Sequence, residues 1–275
     1  MMDRIRRGRV LVIAGSDSGG GAGIQADTKA ITCMGGYAAT AITALTAQNT
    51  LGVHGVHPVP VDFLRLQIRT VLEDIGADSL KTGMLHDAPT VEGVAAELQA
   101  WTVDRPLVVD PVMVAQSGAR LLDGGAVDAL WHWLIPQASL LTPNLPEAAT
   151  LLGTPVTTAD EMPAAAQRLA ERAGAAVLLK GGHLPGNALV DVLVHAGRMR
   201  MFEHTRLPTR HTHGSGCTLA SAIAAGLARG EDVETAVIRG REYLLEAIRT
   251  SWPLGQGEGP VNHGWTVTSP ADSGI

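Results

Sequence analysis

The chain has 275 residues, 45% of them apolar but only 3% aromatic, with a formal net charge of −6 and a pI near 5.9. That length allows a sizeable buried core, and an aliphatic, aromatic-poor core points to alanine-rich helices laid on parallel strands. The acidic balance argues against nucleic acid or an anionic membrane surface as main partner, and no apolar run is long enough to span a bilayer.

Arg4, Arg6, Arg7 and Arg9 precede an apolar run over 10–14 that is too short for a signal peptide and ends in Gly-Ser-Asp. It reads as a first strand behind a basic tail, residues 1–8. Cys33 and Cys217 show neither metal-ligand spacing nor a disulfide framework, which fits a reducing cytoplasm. Eighteen arginines stand against three lysines, Lys29, Lys81 and Lys180, so each surviving lysine is a candidate for a functional role.

Residues 9–14 lead into five glycines within nine positions, Gly15, Gly19, Gly20, Gly21 and Gly23, followed by helical composition over 24–34. Strand, glycine loop and helix together form a phosphate- or ligand-cradling arrangement. Gly21, Gly23 and Ala26 fit the dinucleotide spacing, but six residues separate Ala14 from Gly21 and no acidic residue lies between Asp27 and Asp62. A nicotinamide cofactor is therefore set aside. Asp17 and Asp27 are the candidate ligand contacts of this region, with loop solvation and N-terminal helix charge as their plainer roles. Residues 37–44 form a second strand ending in a polar run over 45–50, where open parallel sheets place ligands. Gln48 there can donate and accept at once, as an aminopyrimidine edge requires, or it can cap a turn with Asn49.

An edge strand is expected over 53–59, a helix over 61–75, a strand over 79–83 ending near Lys81 and Met84, and a helix over 88–101. The apolar strand over 107–113 is interrupted by Asp110 and Pro111. Asp110 is a metal- or phosphate-side carboxylate or the cap of the next turn. A helix over 127–135 and a strand over 139–142 lead to Asn144 and Glu147, three apart at a helix start. That spacing suits Mg²⁺ held through few protein oxygens, and it equally suits a capping box; the two can coexist. After a helix over 164–173, a strand over 176–179 delivers Lys180 to two glycines as a phosphate contact. A hairpin over 189–194 and 198–203 turns at Ala196-Gly197.

Residues 211–230 run from a glycine-broken loop into an apolar helix, with Cys217 at the joint. The first-turn N–H groups and the helix dipole make that end electropositive, while Gly214 and Gly216 let the backbone approach an anion. An ordinary helix start with a buried cysteine is the plainer reading. A helix over 233–249 follows, and the Gly- and Pro-rich residues 253–275 read as a surface tail with at most local docking. One α/β domain over 9–252 carries one site, whose glycine loop, lysines, Asn/Glu pair and helix end are suited to moving a phosphoryl group.

The stretches AGSDSGGGAGIQAD, TALTAQNTLGV, KTGM, VVDPVM, TPNLPEA, LLKGGH and HTHGSGCTLASAIA, spread in order over 14–224, resemble the bacterial hydroxymethylpyrimidine/phosphomethylpyrimidine kinases of thiamine biosynthesis. The resemblance implies a ribokinase-like fold, a mostly parallel sheet flanked by helices. It implies ATP and Mg²⁺ as cofactors, an aminopyrimidine substrate, a cytoplasmic homodimer, and no nucleic-acid or membrane partner. By the same resemblance Gln48 binds the aminopyrimidine with Gly15, Asp27, Thr46, Met84 and Val112 nearby. Asn144, Glu147 and Asp110 serve Mg²⁺, and Lys180, Asn144, Thr212 and Gly214 serve the nucleotide. Cys217, with Gly214, Gly216 and Lys180, acts on the transferring phosphate. Sugar kinases of this fold have an aspartate base where Cys217 stands; a helix N-terminus lowers a thiol's pKa, so Cys217 is expected to take the hydroxymethyl proton as thiolate. The alternatives are a pyridoxal kinase of the same fold, against which Gln48 argues, and a non-catalytic vitamer or nucleotide sensor.

Overall fold

The computed structural model describes residues 8–115, 118–119 and 121–267. β1 (Arg9–Asp17) is apolar along nearly all its length because it lies inside the sheet, covered on both faces. With β2 (Tyr37–Asn49), β3 (Gly52–Pro58), β4 (Ser79–Thr82), β5 (Leu107–Val109), β6 (Leu140–Leu141), β7 (Ala176–Lys180), β8 (Ala188–His195) and β9 (Arg198–Thr205), it forms one sheet in the order β3-β2-β1-β4-β5-β6-β7-β8-β9. The strands from β2 through β7 pair in parallel, while β3 at one edge and the β8–β9 hairpin at the other are antiparallel. This is the expected ribokinase-like α/β architecture.

Side-chain alternation sorts the core into two layers. Leu11, Ile13, Leu80, Val109 and Leu179 pack with α2 (Val61–Asp74), α3 (Ala88–Leu98), α4 (Ala126–Ala129), α5 (Leu145–Leu152) and α6 (Met162–Ala173). Val10, Val12, Val108 and Leu178 pack on the other face with α1 (Gly23–Cys33), α7 (Ser215–Ala228) and α8 (Val233–Arg249). The same alternation brings Lys81, Asp110 and Lys180, each one residue beyond a member of the first layer, to the face that carries α7.

Several boundaries differ from the sequence reading. β5 stops at Val109 because Pro111 has no N–H for a ladder, and the chain beyond it turns, with Val112 N–H on Asp110 O at 2.9 Å. The helix expected over 127–135 is a single α turn that widens into a π turn (Leu130–Leu134) and closes in a 3₁₀ turn (Ile135–Gln137) at Pro136. β2 continues five residues past Ala44, so Thr46 and Gln48 are strand residues. Of the basic tail only Gly8 is described, and it is already part of the fold: its carbonyl accepts from Tyr37 N–H at 2.9 Å.

The largest correction concerns the C-terminal segment, which lies at the surface but is docked on the fold through residues 257–265. Gly257 and Glu258 donate to Thr50, Gly259 O accepts from His213, and Asn262 donates to Ala247 O. Val261 and His263 are buried, and Trp265 lies with its ring centroid 5.8 Å from that of Tyr243. Residues 268–275 lie outside the described residues.

Candidate active site

The carboxyl ends of the parallel strands and the start of α7 enclose a cleft of about 770 Å³. It lies where ligands bind open α/β sheets. Its anion corner is the first turn of α7. Gly214 enters it at φ 78°, and a Cβ there would lie 1.8 Å from Gly21 O, so only glycine lets this turn approach the glycine loop. Ser215 N–H is spent on Thr212 O and Thr218 N–H on Gly214 O; the remaining first-turn amides belong to Gly216 and Cys217. A Cβ on Gly216 would sit 3.4 Å from Lys180 Nζ, so that ammonium lies against the helix end.

Lys180 Nζ pairs with Asp110 Oδ1 at 3.0 Å, and Thr142 Oγ1 donates to the same oxygen at 3.0 Å. Burial works against all these charges. Even so, Lys180 and Lys81 hold the Asp110 carboxyl below its ordinary value, and Asp110 and Glu147 hold Lys180 above its own. Glu147 is pushed up to about 7, by burial first and by Asp110 next, with Lys180 opposing. Asn144 and Glu147 form the capping box in full: Asn144 Oδ1 accepts from Glu147 N–H at 2.9 Å and Glu147 Oε2 accepts from Asn144 N–H at 2.8 Å.

This donor set fits Mg²⁺. Two carboxylates repel each other here and one titrates near neutrality, a charge imbalance that a cation relieves, and Mg²⁺ takes few protein oxygens beside water and phosphate. Asn144 contributes by orienting Glu147. Among the described residues no group of three or more His, Cys, Asp or Glu forms a metal cage of its own.

At the other end, Gln48 sits at a bulge between β2 and β3. Its backbone is clamped by Ser18, whose hydroxyl accepts from Gln48 N–H at 2.8 Å and donates to Gln48 O at 2.9 Å. Gln48 Nε2 lies 3.4 Å from His213 Nε2, which lies 3.0 Å from Asp17 Oδ2. Gly15, Thr46, Met84, Val112 and Thr212 all line the cleft. Thr46 Oγ1 donates to Ser16 O at 2.8 Å, and a Cβ on Gly15 would meet Met84 Sδ at 3.0 Å.

Two expectations are corrected. Asp27 does not contact the cleft: it is wholly buried, paired with Lys81 Nζ at 3.0 Å and hydrogen-bonded by Ser221. Asp17 does line the cleft, where its carboxylate also accepts from Gly19, Gly21 and Ala22 N–H of the glycine loop. The Cys217 thiol is pushed up to about 12, not down, because burial outweighs Lys81 and a backbone hydrogen bond from Gly23, with Asp27 and Asp110 adding to the rise. The sequence reading also missed His213, although it stands inside the segment singled out there. It missed Asp191 as well, which accepts from Gly181 N–H at 2.9 Å and from Arg241 Nε at 3.0 Å and so fixes the turn that follows Lys180.

A helix end, a lysine and a pair of carboxylates at one side of the cleft, facing a polar slot at the other, suit the transfer of a phosphoryl group to a small acceptor. On this fold they define a ribokinase-like phosphotransferase. Residues 17–262 match the phosphomethylpyrimidine kinase family model, so the chain belongs to the phosphomethylpyrimidine kinase family. It is 48% identical over 258 residues to the hydroxymethylpyrimidine/phosphomethylpyrimidine kinase of Streptomyces coelicolor, across 94% of this chain and 95% of that one. It is 50% identical over 257 residues to the thiamine biosynthesis bifunctional protein ThiED of Geobacter sulfurreducens, across 94% of this chain, and spans about half (52%) of that longer protein. The solved pyridoxal kinase of Bacillus subtilis, in an ADP complex, superposes with a TM-score of 0.85 at 36% identity over 94% of this chain and 98% of that one.

Proposed function

We propose that the chain is an ATP-dependent kinase that phosphorylates 4-amino-5-hydroxymethyl-2-methylpyrimidine and then converts the monophosphate to the pyrophosphate, in thiamine biosynthesis. The observation that carries this reading is that Gln48 and Cys217 line one and the same cleft. A side-chain amide at one end can pair with an aminopyrimidine edge while the hydroxymethyl group reaches the helix end that receives the phosphate. Relatives bearing the hydroxymethylpyrimidine/phosphomethylpyrimidine kinase name support it.

The γ-phosphate lies at the Gly214–Cys217 turn, with Lys180 and the first-turn amides of α7 neutralising its oxygens. The hydroxymethyl oxygen attacks the γ-phosphorus; its new O–P bond forms as the bond to ADP breaks, and the hydroxyl proton passes to the Cys217 thiolate. Burial holds the thiol mostly protonated at pH 7 in the free protein, so turnover is expected to rise with pH through neutrality. A loose transition state places most of the rate in positioning. Glu147 and Asp110 would hold Mg²⁺, which when bound neutralises phosphate charge. In the second turnover a phosphate oxygen of the monophosphate is the nucleophile.

Exposed Tyr37, Leu45, Leu51 and Val56 on the β2–β3 edge support a homodimer closed along that edge. Both cysteines are free, in keeping with a cytoplasmic setting, and no helix among the described residues is long and apolar enough to cross a membrane.

The test is an ATP–Mg²⁺ assay with hydroxymethylpyrimidine, its monophosphate and pyridoxal, products resolved by mass. Pyrophosphate from the pyrimidine supports the two-step reading. Phosphorylation of pyridoxal alone moves the chain to the vitamin B6 kinases, and pyrimidine binding without turnover makes it a sensor. Wild-type turnover in Cys217→Ala at saturating substrate removes the base role.

A further inference from the structure

Lys81, Asp27 and Ser221 form a polar cluster that lies behind the cleft wall and takes no part in it. Lys81 Nζ lies 3.0 and 3.2 Å from the two Asp27 oxygens, and Ser221 Oγ donates to Asp27 Oδ1 at 2.7 Å. All three side chains are fully buried. A buried ion pair is a poor source of stability, because desolvating both charges offsets their attraction, so stability alone does not account for this one.

Its location does. Ser221 follows Cys217 by four residues on α7, one turn along the same helix face. The carboxylate it grips therefore lies beneath the turn that carries Cys217, and the ammonium lies there with it. Lys81 reaches this position from β4 on the face of the sheet that α7 covers. A Cβ on Gly83 would lie 2.9 Å from Lys81 Nζ and 3.0 Å from Ala14 Cβ, so the ammonium is confined from that side too. The field runs both ways: Lys81 opposes the upward push of burial on the thiol, and Cys217 helps hold Lys81 above its ordinary value. The other charged groups acting on Cys217 are Asp27 from α1, Asp110 from the end of β5 and Lys180 from β7.

We propose that Lys81 is a positioning residue for Cys217: Asp27 and Ser221 hold its ammonium behind the first turn of α7, where it is the fixed positive charge that the sulfur meets when its proton leaves. Lys81 acts through Cys217 and not on substrate. A compact ammonium suits this space; the broad planar guanidinium of arginine does not, which accounts for a lysine here in an arginine-rich chain. The inference rests on Cys217 as proton acceptor.

The experiment measures the rate at which iodoacetamide alkylates Cys217 in the full chain at a fixed alkaline pH, followed peptide by peptide so that Cys33 is read separately. Only thiolate reacts, so the rate tracks the thiolate fraction. Lys81→Met is expected to slow alkylation about tenfold or more and to lower kcat with the KM for ATP unchanged, whereas Asp27→Asn, which removes the opposing charge, is expected to speed alkylation. A general loosening of the fold speeds both. An unchanged rate in Lys81→Met, or an unchanged or slower rate in Asp27→Asn, overturns the proposal. Where Lys81→Met does not fold, Asp27→Asn decides with Cys33 as control: faster alkylation at Cys217 with Cys33 unchanged supports the proposal, and an unchanged or slower rate at Cys217, or an equal rise at both cysteines, overturns it. Full turnover in Cys217→Ala together with opposite alkylation shifts removes the base reading and leaves the action of Lys81 on the sulfur standing.

Discussion

Asp17 Oδ2 lies 3.0 Å from His213 Nε2, joining the end of the first strand to the turn before α7 across 196 residues of sequence. The same carboxylate accepts three backbone N–H groups of the glycine loop. Loop and turn are therefore one unit, and the slot beside Gln48 is shaped by contacts between segments far apart in the chain.

That unit gives a pH-dependent stability. Burial works against the Asp17 charge, but His213 and the N–H groups of Ala22 and Gly19 outweigh it and bring the carboxyl down to about 2. A folded-state value below the unfolded one, about 3.9, contributes stability that is present above the unfolded value and lost as pH falls through the folded one. Asp17→Asn is expected to be less stable than wild type by about 2 kcal/mol at pH 7 in urea unfolding, with the gap closing between about pH 4 and 2. A gap of constant size down to pH 2 would show that shape, not charge, holds the loop.

The two glycines of the anion corner separate folding from catalysis. Gly214→Ala adds a Cβ at 1.8 Å from Gly21 O on a backbone at φ 78°, and is expected to cost about 2–4 kcal/mol in stability and nearly all activity. Gly216 is the second residue of α7, and its Cβ would meet only Lys180 Nζ at 3.4 Å and Asp110 Oδ2 at 3.8 Å. Gly216→Ala should keep or raise the Tm, since alanine is favoured over glycine in a helix by up to about 1 kcal/mol. It should still lose at least about tenfold in kcat by crowding the phosphate. Parallel thermal melts and turnover measurements check both halves.

Much of this site was legible in the sequence because its residues stand at strand tips, where Gly and Pro punctuate the chain. Lys180 before Gly181-Gly182, Asp110 before Pro111 and Gln48 at the end of the second strand all reached the cleft. Asp27 did not, because an aspartate early in a helix looks like an exposed charge until the lysine 54 residues on is known to pair with it. Cys217 was placed correctly, but its pKa was expected to move the wrong way: the helix end is a local effect, and the burial that overrides it comes from tertiary packing. The C-terminal segment, rich in Gly and Pro, looked like a tail because its partners, Thr50 among them, lie about two hundred residues away.

On the proposed function, Gln48 is the residue that recognises the aminopyrimidine. Its side chain stands against His213, and Ser18 fixes its backbone. Gln48→Leu, similar in size but unable to hydrogen-bond, is expected to lower kcat/KM for the aminopyrimidine by about 10–200-fold, the loss of one or two hydrogen bonds in a closed site. The KM for ATP should stay within about twofold, since the nucleotide lies toward Lys180. Equal losses for both substrates in steady-state kinetics would place Gln48 in the fold and not in recognition.

His263 links the docked C-terminal segment to the first turn of α7. Its Nε2 lies 2.9 Å from the hydroxyl of Thr218, the residue after Cys217, and Tyr243 Oη donates to its carbonyl at 2.6 Å. Burial first, then Lys29 and His213, bring the imidazole down to about 4, so it is neutral in the folded chain at pH 7. The unfolded chain binds a proton at about 6.5, so this residue's contribution is present above that value and is lost as pH falls through 4. His263→Leu removes both the hydrogen bond and the titration. It should be about 1–2 kcal/mol less stable at pH 7, while wild type loses up to about 3 kcal/mol more than the variant on going from pH 7 to below pH 4. The two stability curves therefore converge and cross on acidification, which urea unfolding at four or five pH values resolves. Parallel curves would mean that His263 titrates in the folded state as it does in the unfolded chain, and that the segment is held by Val261 and Trp265 instead.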